Sequence, residues 1–452
     1  MSLDDAVCGA HELASALAAR KVGAVELFDA AVARIEAGDG AINAVVVRDF
    51  DRAREAAKAA DAALARGERA PLLGVPMTVK EAFDIEGLPT TWGLAPFRDH
   101  RPSADATVVA RLKAAGAVIL GKTNVPPYLS DWQSANPIYG RTNNPRDLTR
   151  SPGGSSGGSA AALAAGLVSL EYGSDIGGSI RVPSAFCGVV GHKPSYELVP
   201  QTGHKPPGVE GGLPPPIGVV GPLARTITDL ELALDVTAGP DGEAAAGYRL
   251  QLPAPRMTSA QGLRVLVLTR HPLAPADHEI VEAVEAAAAA LEAGGAKILR
   301  QSDRLPDLVL AHRTYLRVLM TVMSRGAPPT ADTPNAHAYL EGLDIQADLR
   351  RQWRALFEEV DVILAPVLGT VAFPHMDGAG DWSGRVLTIN GREEPFGDQL
   401  AWVGMASFGC LPATALPVGK TKAGLPIGAQ IIGPYLGDRT CLAVARLIEG
   451  PA

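Results

Sequence analysis

The chain has 452 residues, 47% of them hydrophobic, enough for an extended core; its length alone would suit about three domains. A net charge of −8 and the lack of any Lys/Arg-rich run exclude the basic footprint of a nucleic-acid-binding chain. The start, "MSLDDAVCGAHE", has no basic region followed by an apolar stretch, so no signal peptide is read, and runs such as "AAALAAGLVSL" contain glycine and fall short of the ~20 residues of a membrane span.

In chain order, the pattern from Asp4 to about Arg66 is helical, with Ala the commonest residue in "AVELFDAAVARIE" and "DRAREAAKAADAALARG". Gly67 to Pro71 is a break, and "LLGVPMTV" then reads as a buried strand entering "KEAFD". "DATVVARLKAAG" is expected to be a helix ended by Gly116, followed by a strand, "AVILGKT". Two glycine–serine clusters come next, "SPGGSSGGSA" and "SDIGGSIR", the first running into an Ala-rich helical segment. "PQTGHKPPGVEGGLPPPIG" is too irregular for core and reads as a long surface loop. Leu263 to Leu268, Asp277 to Ala293 and Ala296 to Leu299 form another strand–helix–strand stretch. "VDVILAP", "ATALPVG" and "PIGAQIIG" are further strands, and a last helix covers about Arg439 to Ile448. Alternating strands and helices predict an α/β sheet. No linker or charged tail divides the halves, so the reading is one continuous domain, least patterned between Tyr248 and Gly391. Cys8, Cys187, Cys410 and Cys441 are scattered and form no CxxC pair, as expected of reduced thiols in a cytoplasmic protein.

The clusters carry the chemistry. They are no P-loop, because no lysine follows the glycines. A flexible linker is excluded by the helical run that follows at once. "GGSSG", Gly153 to Gly157, satisfies the nucleophile-elbow pattern G-x-S-x-G. That reading makes Ser155 a nucleophile and needs a downstream acid and histidine. Several of the 9 histidines follow it, so it stays open.

Acyl transfer needs a nucleophile, a base and donors for the developing oxyanion. In "DIGGS" glycines let the backbone turn until successive N–H groups converge, and the candidates are those of Ile176, Gly177, Gly178 and Ser179. No histidine lies in either cluster, but "GVPMTVKE" puts Lys80 at the end of a buried strand, where a neutral lysine can serve as base. Bringing a lysine from about 10.4 to about 7–8 costs ~4 kcal/mol, and burial among Val75, Met77 and Val79 pushes that way.

"GVPMTVKEAFD", "GKTNVP", "SPGGSSGGSAAALAAG" and "GSDIGGSIRVPSAFCGVVGHKPS" together resemble the amidase signature family. The likeness is dense from about Leu72 to Thr228 and returns in "LPATALPVG" and "GLPIGAQIIG". One departure is Cys410, in "GCLP", where the family commonly has glycine. The resemblance implies a single α/β/α domain around a large mixed β-sheet, spanning residues 1–452. Its segments are N-terminal helices (1–66), a signature core (67–240), a variable region (241–391) and a return to the core (392–452).

It also implies a Ser–cis-Ser–Lys triad: Ser179 as nucleophile, Ser155, after a cis bond from Gly154, as bridging serine, and Lys80 as base. Ile176, Gly177 and Gly178 would form the oxyanion hole. Ser156 is expected to support the relay by a hydrogen bond, Asp175 and Arg181 to hold the turn, and His192 and Cys187 to pack. "PYLSDW" matches where the family lines its pocket, which places Leu129, Ser130 and Asp131 near substrate. The implied activity is amide hydrolysis on a small molecule, with no metal or organic cofactor, no direct nucleic-acid contact, no membrane span, and a homodimer as an open assembly. The alternatives are a glutamine-hydrolysing A subunit of a tRNA-dependent amidotransferase, and a non-catalytic binding protein that kept the fold.

Overall fold

A computed structural model describes residues 8–209, 212–325, 333–376 and 382–450. The Ala-rich beginning folds as helices Ala10–Ala18, Ala24–Gly38 and Phe50–Ala65. Their small residues recur at helical spacing; the third buries Ala53, Ala57, Ala60 and Leu64. Between them lies a strand, Val45–Arg48, where a continuous helical run was expected. Three successive valines, stiff at χ1, favour extended chain there, and the strand pairs antiparallel with Val118–Thr123. Pro76–Lys80 joins the other side of Val118–Thr123 in parallel, completing a three-stranded sheet.

The larger sheet has eight strands. In spatial order they are Lys297–Leu299, Arg264–Val267, Val362–Pro366, Pro426–Ile432, Ala413–Lys420, Val190–Lys193, Val219–Ala224 and Leu170–Asp175. The first three run parallel to one another and the remaining neighbours pair antiparallel, so the sheet is mixed. Helices cover both of its faces. Leu416 packs in the cluster containing Ile280, Val284 and Leu442, whereas its neighbour Ala415 packs with Val182, Ala185 and Phe186. Successive strand residues point to opposite faces, so these two clusters are two layers. The α/β architecture around a large mixed sheet is therefore the one the sequence indicated.

The least patterned stretch holds two long helices not foreseen, Leu308–Met323 and Ala336–Glu359. Each has an N-cap legible in sequence: Asp307 accepts from the Val309 and Leu310 N–H groups, and Asn335 from that of Ala338. Cys410 adopts φ +58°, the left-handed region, which explains why glycine suits this position.

The two sheets meet where Pro76–Lys80 runs beside Leu170–Asp175. The Thr78 hydroxyl donates to the Glu171 carboxyl, and Lys80 Nζ lies 3.0 Å from Ser174 Oγ. Helix Gly157–Ala164 is wedged against this junction. A Cβ on Gly158 would sit 2.3 Å from the Asn124 nitrogen, at the end of Val118–Thr123. Gly158→Ala is therefore expected to lower the free energy of unfolding by ~1–3 kcal/mol in urea titrations. Gly40→Ala, whose Cβ meets nothing within 4 Å, should stay within ~0.5 kcal/mol of wild type.

Candidate functional site

Alternation along Pro76–Lys80 sets the first element of the site. Met77 and Val79 are fully buried in the core, and Thr78 and Lys80 point the other way, toward Leu170–Asp175. Lys80 is completely buried, and its Nζ lies 2.6 Å from Ser155 Oγ, 2.9 Å from Ser156 Oγ and 3.0 Å from Ser174 Oγ. Burial pushes Lys80 well below its usual 10.5, while Asp175 and Glu171 pull the other way. Glu171 is itself buried, which raises its carboxyl to about 7 against the opposing bond from Thr78. The peptide bond between Gly154 and Ser155 is cis.

The second cluster closes over the first. The Ser156 N–H donates to the Ser179 carbonyl at 3.2 Å, so the two backbones touch. Ser155 and Ser179 are both buried, and the Ser179 hydroxyl makes no hydrogen bond to another described residue. The turn before Ser179 is organised by Asp175. Its Oδ1 accepts from the Gly178 N–H at 2.9 Å and its Oδ2 from the Ile180 N–H at 3.1 Å. Gly178 has φ +89°, and a Cβ there would meet Val403 at 2.7 Å, so only glycine fits.

Arg181 completes the turn with all five of its donors. Nε and Nη2 grip the Asp175 carboxylate at 3.0 and 2.9 Å. Nη1 reaches the Val403 carbonyl at 3.0 Å and Gln430 at 2.8 Å, and Nη2 reaches Ser407 at 2.9 Å. The pair is wholly buried, and the Arg181 guanidinium holds Asp175 down at about 2 despite that burial.

Among the oxyanion candidates the N–H groups differ in their partners. The Gly178 N–H is taken by Asp175. The N–H groups of Ile176, Gly177 and Ser179 donate to no other described residue. Two side chains that sequence reasoning missed hold this turn from outside. Trp132 Nε1 donates to the Gly177 carbonyl, and the Tyr315 hydroxyl to the Ile176 carbonyl, each at 2.8 Å. Trp132 stood in "PYLSDW" and was legible as a buried aromatic with a donor; Tyr315 lies in an unforeseen helix.

Asp131 is brought to the first cluster through its backbone: a Cβ on Gly154 would lie 2.3 Å from the Asp131 carbonyl. Its carboxylate pairs with Arg385 at 2.7 Å. Ser130 is exposed, its hydroxyl turned back to the Pro127 carbonyl at 2.9 Å. Leu129 packs on the apolar group of Ala82, Trp92 and Leu94. His192 is buried between Asp438 and Thr414 at 3.1 and 2.9 Å, and the buried Cys187 thiol faces the Pro152 carbonyl, its burial pushing its ionisation upward. Among the described residues no group of three His, Cys, Asp or Glu side chains could hold a metal ion, and no helix is long and apolar enough to cross a membrane.

Comparison with known proteins is consistent along the chain. The amidase family profile matches residues 26–326 and 311–442. The A subunit of a glutamyl-tRNA(Gln) amidotransferase from Anaeromyxobacter sp. (strain K) is 34% identical, over 98% of this chain and 95% of its own. A bacterial aryl acylamidase of the amidase signature enzymes superposes with a TM-score of 0.84 at 26% identity, covering 98% of this chain and 96% of its own. A 6-aminohexanoate cyclic dimer hydrolase superposes with a TM-score of 0.82 at 27% identity, covering 99% and 97%.

The buried amine has a measurable thermodynamic signature. Lys80 is held below its ordinary value in the folded chain, so below 10.5 the unfolded chain carries the extra proton and stability rises with pH. The stability of wild type relative to Lys80→Met should rise between about pH 8 and about pH 10, by up to ~1.4 kcal/mol per pH unit. Urea titrations of both proteins across that range check it; parallel profiles would place a charged lysine in the fold.

Proposed function

The chain belongs to the amidase signature family, and from that membership we propose that it hydrolyses a carboxylic acid amide through an acyl-enzyme on Ser179. The observation that carries this reading is the completely buried Lys80 amine, 2.6 Å from Ser155 Oγ, with its protonation disfavoured by burial. An uncharged amine offers a lone pair to one hydroxyl and two N–H donors to others. Ser155 is the hydroxyl that gives its proton to Nζ, and Ser156 and Ser174 accept from it.

In the reaction Ser155 passes the proton of Ser179 to Lys80 as Ser179 Oγ attacks the amide carbonyl. The carbonyl oxygen gains charge and is received by the free N–H groups of the Ile176–Ser179 turn. When the tetrahedral intermediate collapses, the C–N bond breaks, and the proton returns through Ser155 to the leaving nitrogen. Ammonia or an amine departs. Water, deprotonated through the same relay, then cleaves the ester and releases the acid. Asp175 and Arg181 neutralise each other beside this path and shape the turn; they do not exchange protons with substrate.

The substrate in this reading is a small-molecule amide, with Leu129 on the pocket wall and the Asp131 loop beside the first cluster. A second reading is glutamine hydrolysis within a complex, favoured by the 34% identity to the A subunit of an amidotransferase. Release of ammonia or amine from isolated chain across aliphatic, aryl and amino-acid amides separates the two. Turnover of simple amides supports the first. Glutaminase activity that appears only with partner subunits supports the second.

The relay also fixes the pH dependence. The neutral form of Lys80 is the base, so kcat/KM should rise with pH through the lowered lysine value. Lys80→Ala should lose that ascending limb together with most activity. Ser155→Ala should slow acylation by ~10²–10⁴-fold, the usual worth of general acid–base assistance. An unchanged pH profile in Lys80→Ala would remove Lys80 as base.

A further inference from the structure

We propose that Tyr315 is a positioning residue for the oxyanion site: its hydroxyl, 2.8 Å from the Ile176 carbonyl, sets the direction of the Gly177 N–H. The inference rests on Ser179 being the nucleophile. A trans peptide unit is planar, with its C=O and N–H pointing to opposite sides. Whatever grips the Ile176 carbonyl therefore aims the Gly177 N–H the other way. A carbonyl only accepts, so the Tyr315 O–H is the donor. The next unit is locked at both ends, its carbonyl by Trp132 and its N–H by Asp175, and has no donor left for substrate. Among the described residues the Ile176–Gly177 unit is gripped only at its carbonyl, which leaves its N–H for the oxyanion.

Glycine turns are soft, and an oxyanion donor is effective only when it is aimed before the charge develops. The surroundings of Tyr315 supply that rigidity. Its side chain is fully buried on helix Leu308–Met323. Helix Leu400–Phe408 makes room for the ring at Gly404, where a Cβ would lie 2.8 Å from Tyr315 Cδ1. The hydroxyl sits against Gly177 itself, 3.4 Å from where its Cβ would be. Burial and the nearby Asp175 charge keep the phenol protonated, as a donor must be. A residue from the least patterned part of the chain thus tunes the donor next to the nucleophile.

The test compares Tyr315→Phe with wild type on a hydrolysed amide, on a trifluoromethyl ketone, and on the product acid as a competitor. The ketone accepts Ser179 Oγ at its carbonyl carbon and becomes a tetrahedral oxyanion, whereas the acid does not. Deleting a donor outright costs ~10²–10³-fold, and a donor retained but misaimed should cost ~10–100-fold in kcat and in ketone affinity, with KM and product affinity within ~3-fold. Gly404→Ala crowds the ring without removing the hydroxyl and should give the same pattern in smaller size, should Tyr315→Phe fold poorly. Wild-type kcat and ketone affinity in Tyr315→Phe would overturn the inference. So would equal losses for ketone and product, which would make Tyr315 a pocket wall. If wild-type Ser179 forms no ketone adduct, the nucleophile assignment itself fails, and this inference with it.

Discussion

The structure turns on one amine kept out of water. Lys80 ends a strand whose residues are all buried, and among the described residues its Nζ finds only serine hydroxyls within hydrogen-bonding distance. A charged ammonium there would lose its hydration for three neutral partners, and that imbalance favours the free base. The nearby carboxylate of Asp175 pulls against burial, and would pull harder if it stood alone. It does not, because Arg181 grips both of its oxygens and spends its remaining donors on Val403, Gln430 and Ser407. A buried ion pair seldom adds stability over an apolar substitute. Here it fixes the turn before Ser179 through the Gly178 and Ile180 N–H groups, and pairs the Asp175 charge with an opposite one beside Lys80.

Close approach of backbones explains the glycines that first marked the sequence. The two clusters, the loop through Asp131 and the end of Val118–Thr123 converge on one small volume. Gly154 lies against the Asp131 carbonyl and Gly158 against Asn124, and no side chain fits at either place. Ser134 bridges the same junction, its hydroxyl accepting from the Gly157 N–H at 3.1 Å. The glycine–serine composition thus reflects tight packing rather than flexibility.

Much of this was legible in sequence. "GVPMTVKE" showed a buried strand ending in lysine, and "SDIGGSIR" showed a turn rich in free N–H groups. Strand–helix alternation indicated an α/β sheet, and the family resemblance implied that it is large and mixed. What escaped depended on contacts between distant segments. Asp175 and Arg181 were read as holding the turn of "SDIGGSIR"; that Asp175 does so by taking the Gly178 N–H, three residues on, was not. Tyr315 sits 139 residues from the carbonyl it holds, so nothing local to the turn points to it. Strand Val45–Arg48 was hidden between helices because four residues are too few for a pattern.

Which serine carries the acyl group is decisive, since the proton relay and the nucleophile elbow assign it to different clusters. The direct measurement is a fluorophosphonate time course on the wild-type chain, followed by digestion and mapping of the adduct by mass spectrometry. A proton relay through Ser155 predicts a single adduct on Ser179, with Ser155 unmodified. An adduct on Ser155, or none on either serine in chain that turns over an amide, would contradict it.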